Sequence, residues 1–443
     1  MRNKCLATMT GVLVLLSCAG CVQPIERSAE KLEFSAAIVD ISEPASELPQ
    51  EETNHQETSK EVEIEQYLQA MTLEEKVAQL FIVVPEALVE SVDGEEVDIV
   101  TAAGEMTKAA LEQYPVGGLI YMGKNLISTE QTTGMLHNVQ EFSMELSGLP
   151  LLLCVDEEGG TVARISGKDG FGIPAIADMA EIAGMAENAD TAEIADVAET
   201  EDTAETGQAV NKAAARDAAY ETGVQIGSYL SEMGFNLDFA PVADVLSNPE
   251  NTVVKKRSFG TEPELVSEMA LAVSDGLNSQ GVYSTFKHFP GHGATAGDTH
   301  EGYAYTDNTL EELRACELVP FQAAVDEGAD FIMAAHISLP EILDDATPAS
   351  LSYKMLTEVL REEMGYDRII VTDALNMGAV VQHYTSEEAA VKALQAGADL
   401  ILMPEDFKEA YQGVLDAVED GRLSQERIDA SVRRILEVKL RDF

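Results

Sequence analysis

Polar side chains that could perform chemistry are grouped directly after several short apolar runs of the sequence. Carboxylates and imidazoles prevail in these groups, together with single lysine and arginine residues. Carboxylates and imidazoles are common nucleophiles and proton carriers of enzymes, and ammonium and guanidinium groups donate hydrogen bonds to polar ligands. The groups fall in Asp156–Arg164, Asp238–Asp244, Lys256–Gly260, Lys287–Gly293, Asp298–His300 and Asp373–Met377.

About eight apolar runs could place these groups at one end of a barrel. Stretches with helical periodicity, such as 310–327, 353–364 and 426–439, lie between the runs. This alternation predicts an α/β fold with a parallel sheet, and eight units match a (β/α)8 barrel of the TIM type, whose active site lies at the carboxyl ends of the strands. The runs are Leu80–Val84, Val116–Met122, Leu149–Asp156, Phe235–Val242, Val282–His288, Phe331–His336, Ile369–Asp373 and Leu400–Met403.

The motifs in these segments resemble those of a known enzyme family. KHFPGHG followed by DTH, between Lys287 and His300, comes after NLDFAPVADV and RSFG. From about Met71 onward, the chain is similar to family 3 of the glycoside hydrolases, and specifically to its single-domain β-N-acetylhexosaminidases. The β-glucosidase branch of the family lacks the histidine loop. The resemblance implies a single catalytic barrel without a cofactor that removes terminal β-linked N-acetylhexosamine, with N-acetylglucosamine as the expected sugar.

By this resemblance, Asp373 is the catalytic nucleophile, and His300 paired with Asp298 is the general acid/base. A carboxylate at a strand end can attack the anomeric carbon and form a covalent glycosyl-enzyme, the first half of a retaining double displacement. Asp298, two residues before His300, can fix the imidazole tautomer, and a histidine pKa of about 6.5 suits donation to the leaving oxygen. Helix capping by Asp373 and a backbone hydrogen bond of His300 are the structural alternatives.

The resemblance also implies five substrate-binding residues. Carboxylate, guanidinium and ammonium groups can together satisfy several ring hydroxyls, and such sites discriminate strongly because an unpaired buried polar group is costly. A structural salt bridge is the alternative for each of them. We expect Asp244 and His292 to hold ligand-binding side chains in place without contacting the ligand themselves. The five residues are Asp156, Arg164, Arg257, Lys287 and His288.

Three positions differ from the usual family pattern. Where the third-strand segment usually reads DQEGGRVxR, this chain has Glu157 in place of glutamine and Thr161 in place of the first arginine. Losing an arginine and gaining an acid is expected to weaken the binding of an anionic aglycone. Ala374 stands where a second acid often follows the nucleophile.

Other functions are compatible with parts of the pattern. The histidines could be drawn as a zinc or iron site, but no HxxxH or HExxH pair falls on a predicted helix, and a metal would leave Lys287 and Asp373 without a role. A non-catalytic sugar-binding lipoprotein would not require both Asp373 and His300. Transfer to phosphate, as in a β-N-acetylglucosaminide phosphorylase, and β-glucosidase activity stay open.

Charge and cysteine content exclude further classes. With 79 acidic and 28 basic residues the net charge is −51, so a polyanion such as nucleic acid would be repelled and is excluded as a partner. Outside the amino-terminal segment only Cys154 and Cys316 remain, too few for a disulfide framework. We expect both to be buried free thiols, and we predict no metal site.

The amino-terminal segment predicts export and lipidation. Two basic residues precede an apolar run, Met9–Leu16, which is too short to span a bilayer and indicates an export signal. The sequence LLSCAGC then resembles a bacterial lipobox, with Cys21 favoured over Cys18 as the lipidated residue. A plain cleaved signal peptide is the alternative.

The expected organisation has three parts. Residues 1–21 are a lipoprotein signal peptide, 22–65 a disordered acidic tether, and 66–443 the barrel, which carries a flexible acidic insertion at about 177–207 with an acidic helical arm as the alternative. The tether would hold the enzyme at the extracellular face of the cell membrane. Muropeptide fragments of the cell wall are the substrates that this location suggests, and the sequence does not indicate an oligomeric state.

Overall fold

The computed structural model describes residues 50–89, 97–188, 201–297, 302, 304–343 and 345–441. The chain divides into two compact units, 1–53 and 54–443, and all strands below belong to the second. Cys18, Cys21 and the remainder of residues 1–49 lie outside the described residues, so the signal peptide and lipidation stay predictions. Within the described ranges, no helix has both the length and the apolar character that crossing a bilayer would require.

The barrel strands of the described chain coincide with the predicted apolar runs, although the strand Thr285–Phe289 ends one residue beyond its run. Each of the eight runs contains one strand. A further pair, Ala304–Tyr305 and Ile337–Ser338, forms a separate two-stranded parallel sheet. Apart from Tyr305, the strand residues are buried, which explains why the barrel strands read as continuous apolar runs. The strands are β1 (Phe81–Val83), β2 (Gly118–Ile120), β3 (Leu152–Val155), β4 (Leu237–Asp238), β5 (Thr285–Phe289), β6 (Ala304–Tyr305), β7 (Phe331–Ala334), β8 (Ile337–Ser338), β9 (Ile369–Thr372) and β10 (Ile401–Leu402).

The strand order of the barrel returns to its starting point. One sheet has the order β10-β1-β2-β3-β4 and a second the order β5-β7-β9. Isolated parallel bridges join them, between Leu237 and Tyr283 at one edge and between Val371 and Leu400 at the other. β4 therefore neighbours β5, and β9 neighbours β10. The predicted (β/α)8 barrel is confirmed.

Helices connect the strands and begin at signals that the sequence carries. Before the helix Leu73–Gln79, a capping box forms: the Glu75 N–H donates to the Thr72 hydroxyl at 3.2 Å, and the Thr72 N–H donates to the Glu75 carboxylate at 2.8 Å. The described helices are α1 (Gln50–Ala70), α2 (Leu73–Gln79), α3 (Pro85–Leu88), α4 (Glu105–Gln113), α5 (Thr129–Ser147), α6 (Met179–Asn188), α7 (Glu201–Met233), α8 (Pro263–Asn278), α9 (Leu310–Ala315), α10 (Val319–Asp326), α11 (Gly378–Val381), α12 (Ser386–Ala396), α13 (Phe407–Glu419) and α14 (Gln425–Lys439), with a π-helix at Lys354–Glu363.

Some helix limits differ from the sequence prediction. The helix predicted over 310–327 is divided into α9 and α10, because Pro320 lacks an N–H and its ring would meet the carbonyl four residues earlier. Helix α1 begins within the range predicted as a tether. The predicted insertion at 177–207 contains α6 and the start of α7, whereas residues 189–200 lie outside the described residues, and its flexibility stays a prediction.

The two cysteines of the described chain are free thiols, as predicted. Cys154 in β3 is fully buried, and burial raises its pKa well above the usual value. Cys316, after α9, is only partly buried. Neither cysteine is among the described residues that line the cavity considered next.

Candidate active site

A cavity of about 310 Å³ opens at the carboxyl ends of the barrel strands. All six described residues that the sequence predicts for catalysis or substrate binding line it. This volume is at the lower limit for ligand pockets and suits a ligand of monosaccharide size. The polar lining residues are Asp156, Glu158, Arg164, Arg257, Lys287, His288, His292, Asp373 and Asn376.

The segment after β3 turns back on itself and contributes residues on both of its arms. Gly159 and Gly160 have positive φ angles of 87° and 53°, which glycine adopts at little cost. A Cβ atom on Gly160 would lie 2.2 Å from Asp178 Oδ1, so no other residue fits this turn. Asp156 on the outgoing arm and Arg164 on the returning arm thereby reach the same cavity.

Lys287 bridges two carboxylates of the outgoing arm. Its Nζ lies 2.9 Å from Asp156 Oδ1 and 2.7 Å from Glu158 Oε1. Burial lowers the pKa of Lys287, but Asp156 and Glu158 outweigh burial and raise it, so the ammonium stays charged. The Asp156 side chain is 21% exposed and is therefore the member of this trio that a ligand can reach.

Glu158 is buried at the centre of the polar lining of the cavity. The sequence motifs did not distinguish it from its acidic neighbours. Both of its oxygens accept hydrogen bonds from Arg257, Nε and NH2 each at 2.7 Å. Burial raises the pKa of Glu158, but Arg257 and Lys287 outweigh it and hold the pKa far below its usual value. Its position two residues after Asp156 was a usable signal, because alternate side chains of an extended segment share a face.

His288 is held between an acid and an arginine. Its Nδ1 lies 2.7 Å from Asp244 Oδ2, and its Nε2 lies 3.2 Å from Arg257 NH2. Arg257 can only donate, so we assign to neutral His288 the tautomer with hydrogen on Nδ1, which leaves Nε2 as the acceptor. Asp244 Oδ1 also accepts the His292 N–H at 2.6 Å. Asp244 thus holds the His288 ring and the His292 backbone in place.

Asp373 follows β9 and reaches the cavity from the other sheet. Its N–H donates to the Ala334 carbonyl at 2.8 Å, and its Oδ1 accepts the Ala374 N–H at 2.8 Å. Burial raises the pKa of Asp373, but His336 and His288, followed by the Ala374 N–H, outweigh burial and lower it. The side chain is therefore an ionised, partly exposed carboxylate in the cavity that Lys287 and His288 also line.

Comparison with known proteins agrees with this arrangement. The model of the glycosyl hydrolase family 3 N terminal domain matches residues 72–438. The chain belongs to glycosyl hydrolase family 3.

Individual members of the family share about a third of their residues with this chain. Beta-hexosaminidase A of Pseudoalteromonas piscicida is 30% identical over 350 residues, covering 74% of this chain and 54% of that protein. A beta-hexosaminidase of Nitrosomonas eutropha is 31% identical, covering 76% and 89%. The structure of a family 3 beta-N-acetylglucosaminidase from a Paenibacillus strain is 35% identical with a TM-score of 0.70, covering 84% of this chain and 62% of that one. The chain thus spans about half of the first relative and most of the second.

The three departures from the usual family 3 pattern have distinct surroundings. Thr161 donates its N–H and hydroxyl to Asp178 Oδ1, both at 2.8 Å, and so secures the turn after β3. Ala374 accepts a hydrogen bond from His336 Nε2 at 2.9 Å through its carbonyl and supports Asp373 through its N–H. Glu157 is fully buried. Within the described chain, neither Thr161 nor Glu157 lines the cavity.

An apolar surface completes the family 3 cavity, and sequence reasoning missed it because its residues read as core. Met403 has a φ of 44°, unusual for a residue other than glycine. Two backbone hydrogen bonds fix it, from Met403 to Ile82 at 2.9 Å and from Asn376 to Met403 at 3.0 Å. The apolar lining residues are Ile120, Met122, Val162, Val253, Met333, Ala374, Met377, Leu402 and Met403.

The predicted acid/base pair, Asp298 and His300, lies outside the described residues, and its role stays a prediction. The loop that leads to it is described up to residue 297. Its base is held by Asn251, whose Nδ2 donates to the carbonyls of His292 at 2.8 Å and Thr295 at 3.2 Å. In the described ranges, no group of three or more His, Cys, Asp or Glu side chains could hold a metal ion.

Proposed function

We propose that this chain is a retaining β-N-acetylhexosaminidase that releases terminal β-linked N-acetylglucosamine through a covalent intermediate on Asp373. The observation that carries the proposal is an ionised Asp373 in the same monosaccharide-sized cavity as Asp156, Lys287 and His288. Membership of family 3 and the names of the relatives support the reaction class and the sugar.

In the first step a carboxylate oxygen of Asp373 attacks the anomeric carbon. The bond from that carbon to the aglycone oxygen breaks, and the leaving oxygen takes a proton from His300. In the second step neutral His300 removes a proton from water, whose oxygen displaces Asp373 and retains the β configuration. Asp298 would orient His300 in both steps. The assignment of His300 and Asp298 depends on the family resemblance.

The cavity lining favours a terminal sugar with an acetamido group. Asp156, Arg164 and Lys287 offer acceptors and donors to ring hydroxyls. Met377 and Met403 offer apolar contact to the acetamido methyl group, for which flexible thioether side chains are well suited. A cavity that accommodates one ring implies removal of single terminal residues.

The biological setting of the proposal is the cell envelope. Lipidation at Cys21, or at Cys18, would tether the enzyme to the extracellular face of the cell membrane, where muropeptide fragments carry terminal N-acetylglucosamine. The export pattern of the amino terminus supports this placement. Release of N-acetylglucosamine from a purified muropeptide by the isolated enzyme tests the substrate.

The decisive experiment traps the intermediate. A slow 5-fluoro glycoside that carries an acetamido group is expected to label the wild-type enzyme, and peptide mapping is expected to find the sugar on Asp373. Asp373→Asn is expected to lose both labelling and turnover of 4-nitrophenyl β-N-acetylglucosaminide. Labelling of another residue would overturn the assignment.

Parallel assays separate the alternatives. Turnover that requires phosphate and yields a sugar phosphate would indicate a phosphorylase, and faster cleavage of the β-glucoside would indicate a β-glucosidase. Loss of activity after extensive chelation would indicate a metal-dependent hydrolase. Binding of N-acetylglucosamine without any turnover would indicate a sugar-binding protein.

A further inference from the structure

Glu157 is a buried acid that the proposed mechanism does not use. The usual family pattern has glutamine here, and Glu157 is flanked by two acids, Asp156 and Glu158, that both line the cavity. Its own side chain is fully buried. A buried carboxylate is costly unless donors surround it, so its contacts define its role.

Four donors surround the Glu157 carboxylate, two on each oxygen. Oε2 accepts the N–H of Arg164 at 2.5 Å and that of Ile165 at 2.9 Å. Oε1 accepts the N–H of Ser166 at 2.8 Å and the hydroxyl of Tyr229 at 2.8 Å. Burial and the neighbouring Glu157 raise the pKa of Tyr229, so its hydroxyl keeps the proton that it donates.

A carboxylate suits this arrangement, because its two oxygens together accept from all four donors. Successive backbone N–H groups create a concave site for an anion, and here a side chain of the same segment occupies it. An amide at position 157 would offer one acceptor oxygen, to the N–H groups of Arg164 and Ile165. Its NH2 group could donate to the Tyr229 hydroxyl but would leave the Ser166 N–H facing a donor. The returning arm after β3 would then lose one of its three backbone hydrogen bonds to the side chain at position 157.

The first of these N–H groups belongs to Arg164, whose guanidinium lines the cavity. Its NH2 lies 3.8 Å from Asp156 Oδ2, too far for a hydrogen bond. Its Nε is buried and has no hydrogen-bond partner among the described residues. A guanidinium held in this way has donors available for an oxygen atom of a ligand.

We propose that Glu157 is a positioning residue, which fixes the backbone at Arg164 so that its guanidinium meets an oxygen of the bound sugar. The inference rests on the proposed glycosidase function. On this proposal, Glu157 affects substrate binding only by fixing the position of Arg164.

A double-mutant cycle tests whether the effect passes through Arg164. Wild type, Glu157→Gln, Arg164→Ala and the double variant are compared by kcat and KM on 4-nitrophenyl β-N-acetylglucosaminide. Glu157→Gln alone is expected to raise KM about tenfold, because small displacements of a binding group are costly. In the Arg164→Ala background, the same change is expected to alter kcat/KM by less than about twofold, since the positioned group is absent.

Two further variants separate positioning from stability. Tyr229→Phe removes one of the four donors, is expected to raise KM about threefold, and keeps the proposal testable if Glu157→Gln does not fold. Asp330→Asn makes the same carboxylate-to-amide change before β7, at the opposite end of the barrel, where Asp330 pairs with Arg441 at 2.9 Å. It is expected to lower the melting temperature and leave KM unchanged.

Equal losses of kcat/KM in both backgrounds of the cycle would overturn the inference. So would wild-type KM values in Glu157→Gln and Tyr229→Phe. A wild type that releases no nitrophenol would overturn the proposed function instead. In that case, calorimetric binding of free N-acetylglucosamine to the same four proteins decides the positioning role, and coupling between the two substitutions is again the expected result.

Discussion

Glu158 joins the ionic contacts of the cavity into one chain. It contacts Lys287 and Arg257, and Arg257 contacts His288, which Asp244 orients. The carboxylate of Glu158 has Arg257 and Lys287 as partners of opposite charge, without which the burial of these three ions would be very costly. The donors therefore keep fixed positions before a ligand arrives, and binding does not have to order them.

Motif resemblance identified most members of the site but missed Glu158. It named Asp156, Lys287 and Asp373, which the structure brings to one cavity. It did not separate Glu158 from its acidic neighbours, because the burial of a carboxylate depends on distant partners, and Arg257 lies 99 positions later in the chain. The alternation of side chains along the segment after β3, which places Asp156 and Glu158 on one face, would have identified Glu158.

The proposed acid/base predicts a dependence on the leaving group. His300→Ala is expected to lower kcat on an unactivated disaccharide by about 10² to 10⁴, because the sugar oxygen must be protonated as it leaves. A 4-nitrophenolate leaves without a proton, so the loss on the aryl glycoside is expected to be smaller. Asp298→Ala is expected to show the same ratio with smaller losses, measured by initial rates on both substrates.

His137→Ala is the control for this comparison. His137 is an exposed histidine of α5 that pairs with Glu141 at 3.3 Å, and its removal is expected to change neither rate. Equal losses on the two substrates for His300→Ala would contradict its assignment as the acid.

At the scale of elements, hydrophobic runs predicted the number and order of the barrel strands but not their limits. The run Leu400–Met403 is longer than the two-residue strand β10. Its apolar residues continue beyond the last paired residue of the strand into the cavity wall, where Met403 lies. The pair β6 and β8 escaped prediction because two-residue strands leave no periodic pattern. Helix breaks such as that at Pro320 were readable in principle.

Asp399 joins three elements at the amino-terminal end of β10. The buried carboxylate accepts hydrogen bonds from Arg361 NH2 at 2.5 Å, Arg434 NH1 at 3.1 Å and the Ile370 N–H at 3.0 Å. Burial raises its pKa, but Arg361, Arg427 and Arg434 outweigh burial and lower it. The carboxylate thereby connects the π-helix and α14 to β9.

Asp399→Asn is expected to lower the free energy of unfolding by about 3 kcal/mol, because it leaves three partly buried guanidinium groups without their counter-charge. Urea denaturation measures this change. The matched control is Asp367→Asn, whose side chain is 90% exposed and whose substitution is expected to cost less than about 0.5 kcal/mol. Similar midpoints for the two variants would show that the arginines find other partners.

At the scale of the whole molecule, charge selects the kind of ligand. A net charge of −51 repels polyanions, whereas a neutral sugar is not affected by the long-range field. The cations of the cavity are already paired with Asp156 and Glu158. On the proposed function, we therefore expect neutral glycosides to bind better than phosphorylated ones.

One lysine is buried in this acidic protein without an ion pair at hydrogen-bond distance among the described residues. Lys439 of α14 donates to Gln79 Oε1 at 2.7 Å, and burial lowers its pKa from 10.5 to about 7. Between these values the unfolded chain binds more protons than the folded one, so this group makes stability rise with pH. Below pH 7 both states are protonated, and the destabilisation is complete.

Lys439→Met is expected to increase the free energy of unfolding by about 2 kcal/mol at pH 7, after allowing for the lost bond to Gln79. The gain is expected to shrink as pH rises from 7 towards 10, because the folded amine is then neutral and the unfolded amine begins to lose its proton as well. Denaturant titrations at pH 6, 7, 8.5 and 10 measure it. Lys212→Met, at an exposed position paired with Glu268, is expected to show no such trend, and a pH-independent gain at Lys439 would contradict the argument.

The interrupted ladder between β4 and β5 couples catalysis to the integrity of the ring. Lys287 forms one of the isolated bridges of this seam, with Val242, and its ammonium crosses over β4 to the hairpin after β3. If the seam parted while both sheets persisted, the ammonium would leave its two carboxylates and return to water. Enzymatic rate would then fall before circular dichroism detected any loss of strands, which makes turnover an early reporter of opening at this seam.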